Sequence, residues 1–340
     1  MTDIRWAYAL NQWKPQFDDF VRREDHERAL KTISIAGFEG IELTAGTGRW
    51  EPLGNPQQIE ANFGSIDGFR DFLTSCGIAA VSSYFYDPQQ PSMEHLTGPL
   101  SPLSEGDVPA IVQKAEWFAD ALSRLGGSVL VVRAAPSAGD VEDGDAADDS
   151  TLQRLADCWS AVGRATLEHG VRTALHVDFL SLLRRPEALH GVLARTDPEV
   201  VGLAVDTAEF TVAGVDPLEV IEKHAHRIWH VQFKDALAVD DANEYLQPHA
   251  EYAVRQRGGA RQIPRWFGEP GIDDGMVDFP TITRALIDAH YSGWIVFESD
   301  QSPHPSTSAL VGGYLMQREL WPIGAAEPTS EGRARRRARP

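Results

Sequence analysis

Short apolar segments rich in β-branched residues recur eight times along this chain, and stretches of helical period separate them. The eight are Arg5–Ala9, Gly40–Leu43, Ala79–Tyr84, Ser128–Arg133, Arg172–Val177, Val201–Asp206, Ile228–Phe233 and Trp294–Glu298. Such alternation predicts βα units, because parallel strands need a crossover and bury both faces. A glycine precedes several segments, as in AGFEGIEL, SCGIAAVS, LGGSVLVV and EHGVRTALHV. Glycine reaches the left-handed backbone that ends a helix, so these read as helix stops. Between the strands, Ile111, Ala115, Phe118, Leu122 and Leu125 share one side of a helix, and residues 152–167 repeat the pattern. Eight such units predict a (β/α)8 TIM barrel. A doubly wound sheet is the alternative, but no G-x-G-x-x-G follows any strand, and TAGTG after the second is a weak substitute.

A barrel of this kind takes about 250 residues, and more with insertions, so residues 1–324 are expected to form a single domain. Three segments exceed the minimum: Asp87–Asp107, the acidic Ser137–Ser150, and Asp235–Phe279, a long insertion between strands seven and eight. Loops that follow strands sit at the C-terminal mouth, where substrates bind. Residues 325–340 end in RARRRARP and are expected to be a disordered tail. Net charge is −19, and five positive charges in 333–340 leave −24 on the remainder. Such a body repels phosphate backbones, so no nucleic-acid partner is expected. Cys76 and Cys158 are too few for a disulfide framework. The opening MTDIRW has no cationic region followed by an apolar run. No apolar run approaches the ~20 residues of a bilayer span, so a cytoplasmic protein without membrane contact is expected.

Ligands and catalytic groups of a barrel lie at the C-terminal ends of its strands. There the first strand offers Asn11, the second Glu42, the third Tyr84 and Tyr86, and the fourth Arg133. The fifth gives His176 and Asp178, two residues apart and so facing the same way. The sixth ends in Asp206 with Glu209 beyond, the seventh carries His230, Lys234 and Asp235, and the eighth Glu298 with Asp300 beyond. One such residue means little. Four consecutive strands bringing His176, Asp206, His230 and Glu298 to one side of the axis is costly unless a cation compensates them. Mixed nitrogen and oxygen ligation suits Mn²⁺, Mg²⁺, Co²⁺ or Zn²⁺. HAHR at 224–227 precedes the seventh strand and reads as a solvated helix end rather than a ligand pair.

The strings GLAVDTAEFTVAGVDP, RIWHVQFKDA and GMVDFPTITRALIDAHYSGWIVFESD resemble the sugar phosphate isomerase/epimerase superfamily, the xylose-isomerase-like barrels, over about Arg5 to Trp321. The resemblance implies one divalent ion, Mn²⁺ first, bound by a strand-five acid, Asp206, His230 and Glu298. Two positions depart from the pattern. His176 in LHVDF stands where many relatives carry Glu, as in the histidine-rich string of inosose dehydratases, and Glu209 stands where epimerases have His. The chemistry the resemblance implies is proton removal α to a keto-sugar's carbonyl, with the metal lowering the cost of the enediolate. Reprotonation makes an isomerase or epimerase; loss of a β-substituent makes a lyase.

Two lyase groups look nearest: inosose dehydratases, which expel water, and the large (alpha) subunit of C-glycoside deglycosidases, which expels an aromatic aglycone from a 3-oxo-C-glucoside. WAYALNQWK, the long insertion and the chain length favour the second, with inosose dehydratase or ketose isomerase/epimerase as alternatives. That reading implies a keto-sugar or 3-oxo-glycoside substrate, a small β-rich partner subunit and homo-oligomerisation. Asp178, Glu209 and Lys234 are then the candidate catalytic groups. Glu42, Tyr84, Arg133 and Trp266 are candidate substrate contacts, with Trp13 and Tyr86 as further aromatic surface. Barrel endonucleases use a cluster of metal ions, against which the charge and the single-metal set argue. A non-catalytic scaffold is disfavoured by the four ligand-type residues.

Overall fold

In the computed structural model, which describes residues 3–12, 23–45, 54–89, 98–141, 147–248, 250, 266–272, 274–298 and 304–325, the eight segments are strands of one closed parallel barrel. They are β1 (Ile4–Ala9), β2 (Gly40–Ala45), β3 (Ala80–Tyr86), β4 (Val129–Arg133), β5 (Arg172–His176), β6 (Val201–Asp206), β7 (Ile228–Phe233) and β10 (Gly293–Phe297). Each pairs with its neighbour in chain order, and β10 closes the ring on β1. A separate antiparallel ribbon, β8 (Asp235–Ala236) with β9 (Phe267–Gly268), lies in the chain between β7 and β10. Trp13, Asp300 and the tail 326–340 lie outside the described residues.

Outside the strands run α1 (Arg23–Ile35), α2 (Pro56–Phe63), α3 (Ile66–Ser75), α4 (Val108–Arg124), α5 (Asp149–Leu167), α6 (Pro186–Ala194), α7 (Thr207–Val212), α8 (Pro217–His224), α9 (Phe279–Asp288) and α10 (Pro305–Leu315). Asp148, Asp216 and Asp278 start three of them by accepting the N–H of Thr151, Leu218 and Thr281. Positive φ at Gly37, Gly77, Gly126 and Gly170 marks the helix stops that the sequence strings announce. Outward-facing strand residues share the main core with these helices, and the Trp159 indole there donates to the Ala134 carbonyl at 2.7 Å. One expectation fails in this layer. The HAHR segment is not solvated: His224 and Arg227 are buried. The Arg227 guanidinium donates to the Val201 and Leu193 carbonyls and the Thr196 hydroxyl, tying the approach to β6 to the start of β7.

Inside the barrel, below the strand ends, the residues are apolar: Ala7, Ala80, Val296 and Trp294 in one group, Val129, Val131 and Ala174 in another. Two tryptophans close this end over glycines. A Cβ on Gly40 would lie 2.8 Å from the Trp294 ring, and one on Gly202 2.3 Å from Trp229. Only glycine leaves room there. Arg5 and Arg172 lie over the two rings, at 3.9 Å and 5.2 Å.

The register of β7 against β6 decides which of its residues enter the barrel. Leu203 is opposite Ile228, yet Ala204 is opposite His230, so Trp229 is an extra residue, a bulge. Simple alternation from Trp229 would send Val231 and Phe233 inward; both instead belong to the outer core. His230, Gln232 and Lys234 take the inner face. A second bulge, between Ile41–Val81 and Glu42–Ser83, brings the Ser83 hydroxyl 2.7 Å from the Glu42 carboxylate.

Candidate active site

Above the apolar floor, the strand ends converge as expected on one side of the mouth. Asp206 ends β6 and caps α7, its Oδ1 accepting from the Ala208 and Glu209 N–H groups at 2.9 and 3.0 Å. That leaves Oδ2 for the interior, 3.5 Å from His176 Nε2 and 3.8 Å from Lys234 Nζ. Glu209, in the first turn of α7, points back: Oε1 accepts from Lys234 Nζ at 2.7 Å and Oε2 from the Phe179 N–H at 2.8 Å. Ligand atoms of His176, Asp206 and Glu209 all lie within 4.8 Å of one another, and all three residues are buried. Glu298 follows β10, 3.8 Å from Lys234 Nζ, and accepts from the Asn11 amide at 3.0 Å.

The electrostatics follow from burying these groups together. Burial pushes the Glu209 carboxyl up, to about 7; Lys234 opposes the rise and the charges of Asp206 and Asp178 add to it. Asp206 also pays for burial, but Lys234 and the His176 hydrogen bond outweigh that and hold it below the usual carboxylate range. For His176 burial disfavours the charge, yet Asp206, Glu209 and Asp178 together raise it. Three carboxylates thus meet one ammonium. Buried carboxylates in excess are costly unless a further cation joins them, and the Lys234 ammonium between Asp206 and Glu298 marks a point that attracts positive charge. Imidazole with carboxylate is a donor set for Mn²⁺, Zn²⁺ or Co²⁺. The residues fit a divalent ion.

A second group flanks the first. The Arg133 guanidinium donates from Nε to Asp178 at 2.8 Å, from Nη1 to Asp87 at 3.4 Å and from Nη2 to the Ser137 hydroxyl at 3.1 Å. Asp178 accepts also from the Leu180 N–H at 3.1 Å. Aromatic rings wall the cluster: Phe85 meets His176 edge-on, Phe267 lies 3.8 Å from Lys234 Nζ, and Phe179 packs against both Trp266 and Phe267.

Two expected residues are placed elsewhere. Tyr84 is fully buried on the outer face of β3 against Phe118 of α4, because its parity is that of the helix side; Phe85 takes the inner face. The Tyr84 ring does not face the barrel interior. His230 is inside the barrel beside Ala204, two residues before the β7 position paired with Asp206, and its Nε2 is 2.9 Å from Glu42 rather than turned to Asp206. Glu42 is therefore held by His230, Ser83 and Gln232 rather than presented freely. Gln232 is the residue the sequence reading missed. It is opposite Asp206, and its Nε2 donates to both Glu42 and Glu298 at 2.7 Å. The i, i+2 series His230, Gln232, Lys234 was visible in HVQFK; the bulge that turns it inward was not.

A parallel eightfold barrel with a His–Asp–Glu cluster at its C-terminal mouth defines a class, and comparison with known proteins gives the family. Residues 30–316 match the model of the xylose isomerase-like TIM barrel family, to which this chain belongs. Among curated relatives, an inosose dehydratase of Lacticaseibacillus casei is 28% identical over 155 residues, 46% of this chain and 49% of that one, so that alignment spans about half of each. The inosose dehydratase of Bacillus velezensis is 29% identical over 324 residues, 94% of this chain and 97% of that one. Among solved structures, the IolI protein with a bound zinc atom superposes with a TM-score of 0.65 at 12% identity, covering 94% of this chain and 97% of the other. Among the described residues no helix is long and apolar enough to cross a membrane.

Proposed function

We propose that this protein is a metal-dependent lyase acting on keto-sugars, and that its substrate is a 3-oxo-C-glucoside whose C-glycosidic bond it cleaves. The reading rests on the buried cluster of His176, Asp206, Glu209 and Lys234 at the barrel mouth. His176, Asp206 and Glu298 would hold one divalent ion, Mn²⁺ first, which would supply positive charge to the substrate oxygens that gain negative charge on enolisation. The family membership and the zinc in a structural neighbour support that assignment.

The chain's own groups carry the remainder. Asp178 is fixed by Arg133 and the Leu180 N–H, and acts as the carboxylate that takes the proton α to the ketone. The electron pair of that C–H bond becomes the new C=C bond, the bond to the aglycone carbon breaks, and that carbon takes up a proton. Glu209, hydrogen-bonded to Lys234, holds the proton for the departing carbon, while the Lys234 ammonium faces developing negative charge. Phe179, Trp266 and Phe267 beside Lys234 favour an aromatic leaving group. A small β-rich partner subunit belongs to the same reading. A second reading, dehydration of an inosose, is favoured by the full-length likeness to the Bacillus velezensis relative.

The test is incubation of manganese-loaded protein, with and without a partner, with a 3-oxo-C-glucoside, 2-keto-inositol and free ketohexoses. Free aglycone from the first supports the proposal, and a dehydrated inosose supports the second reading. Epimerised ketohexose as the dominant product overturns both.

A further inference from the structure

We infer that the metal ligand supplied by β7 is the side-chain carbonyl oxygen of Gln232, and that His230, two residues earlier, is a positioning residue; this rests on the metal-dependent reading above. Register comes first. The bulge at Trp229 places Gln232 opposite Asp206 and His230 opposite Ala204. Two residues along a strand are roughly 6.6 Å; His176 is also opposite Ala204 but turns its Nε2 to Asp206, whereas His230 turns its Nε2 to Glu42.

Orientation comes second. Gln232 Nε2 lies 2.7 Å from both Glu42 Oε1 and Glu298 Oε2. Carboxylate oxygens only accept, so these two contacts fix which end of the amide is NH₂. Both of its hydrogens are used, and Oε1 is left buried with no hydrogen-bond partner. A buried acceptor without a donor is uncommon and points to a group that completes it. Beside Asp206 and bonded to Glu298, that group is the cation those carboxylates attract.

His230 Nδ1 is buried without a hydrogen-bond partner as well, but its other ring nitrogen is committed to Glu42 rather than to the Asp206–Glu298 side. Its Nε2, 2.9 Å from Glu42 Oε2, donates to that carboxylate, which in turn accepts from Gln232. His230 therefore steers Gln232 through Glu42. The resulting ligands are one imidazole, from His176, with oxygens from Asp206, Gln232 and Glu298.

The experiment counts imidazoles on the metal. Protein loaded with Mn²⁺ alone is examined by pulsed electron paramagnetic resonance, where a directly bound imidazole nitrogen gives its own coupling. We expect one such coupling in the wild type, kept in His230→Gln and lost in His176→Ala. Gln232→His should acquire a second coupling, and Gln232→Leu should bind Mn²⁺ at least ten-fold more weakly. Circular dichroism of each variant reports folding, and Gln232→His is the gain of signal that misfolding cannot imitate. Loss of the coupling in His230→Gln, or no second coupling in Gln232→His, overturns the inference while leaving a metal enzyme intact. A wild type that takes up no Mn²⁺ overturns the inference together with the reading beneath it.

Discussion

The two ends of one barrel interior are built from opposite materials. At the floor, alanines, valines and two tryptophans over glycines fill space, and the charges there, Arg5 and Arg172, sit outside against the rings. At the mouth, Asp206, Glu209, Glu298, Asp178, Lys234 and Arg133 are held in mutual contact under an aromatic wall. The same strands carry both ends, a few residues apart. Stability should thus reside in the floor and chemistry in the mouth, so substitutions should separate the two.

The largest expected effect is at the mouth. Asp206→Asn keeps the α7 cap through Oδ1 but removes the charge that faces His176 and Lys234. Turnover of the proposed keto-sugar substrate should fall about 10³-fold, some 4 kcal/mol of transition-state stabilisation, with metal content reduced and the melting temperature nearly unchanged. Full metal content with a rate within ten-fold of wild type would show that Asp206 does not carry the chemistry of the mouth. Next, Trp294→Ala opens the floor over Gly40, and denaturant melts should show a loss of about 3–5 kcal/mol. Turnover per folded molecule should hold; a matching loss in kcat would show that the floor shapes the mouth directly. Smaller again is Arg133→Lys. A single ammonium cannot serve Asp178, Asp87 and Ser137 together, so kcat should drop about 10- to 100-fold, with KM and stability changing less.

The smallest effect belongs to neither end. Burial, aided by Lys223, His190, His226 and Arg227, holds the His224 imidazole down at about 4, against an ordinary 6.5. Because the folded state takes its proton later than the unfolded one, this group contributes stability that is complete above about pH 6.5 and is lost as pH falls toward 4. His224→Gln should therefore lose less stability than wild type between pH 6.5 and 4.5. Parallel curves for the two proteins would remove this residue from the acid response.

What the sequence made legible divides along physical lines. Strands and helices were readable because glycine stops and β-branched runs are local signals, and observed strand ends fall within two residues of the expected ones. His176, Asp206 and Glu298 were readable because a regular strand delivers its last residue to the mouth. Tyr84 was misplaced by parity, since Phe85 and not Tyr84 faces the interior. The pairing of Gln232 with Asp206, and of His230 with Ala204, was not readable because a bulge is set by pairing across strands, and one chain read alone carries no register. Arg227 looked solvated because its partners, the carbonyls of Leu193 and Val201, are backbone atoms from a distant segment.

The short ribbon of β8 and β9 gives the barrel a socket. Asp235 faces Gly268 and Ala236 faces Phe267, so the chain departs and returns about one strand spacing apart, roughly 4.8 Å. A doubling of whatever length is carried between such anchors costs only about 0.6 kcal/mol of closure entropy. The ribbon also holds Phe267, whose ring lies 3.8 Å from the Lys234 ammonium, at a fixed distance from β7. The length carried between these anchors can thus change at little entropic cost to the barrel.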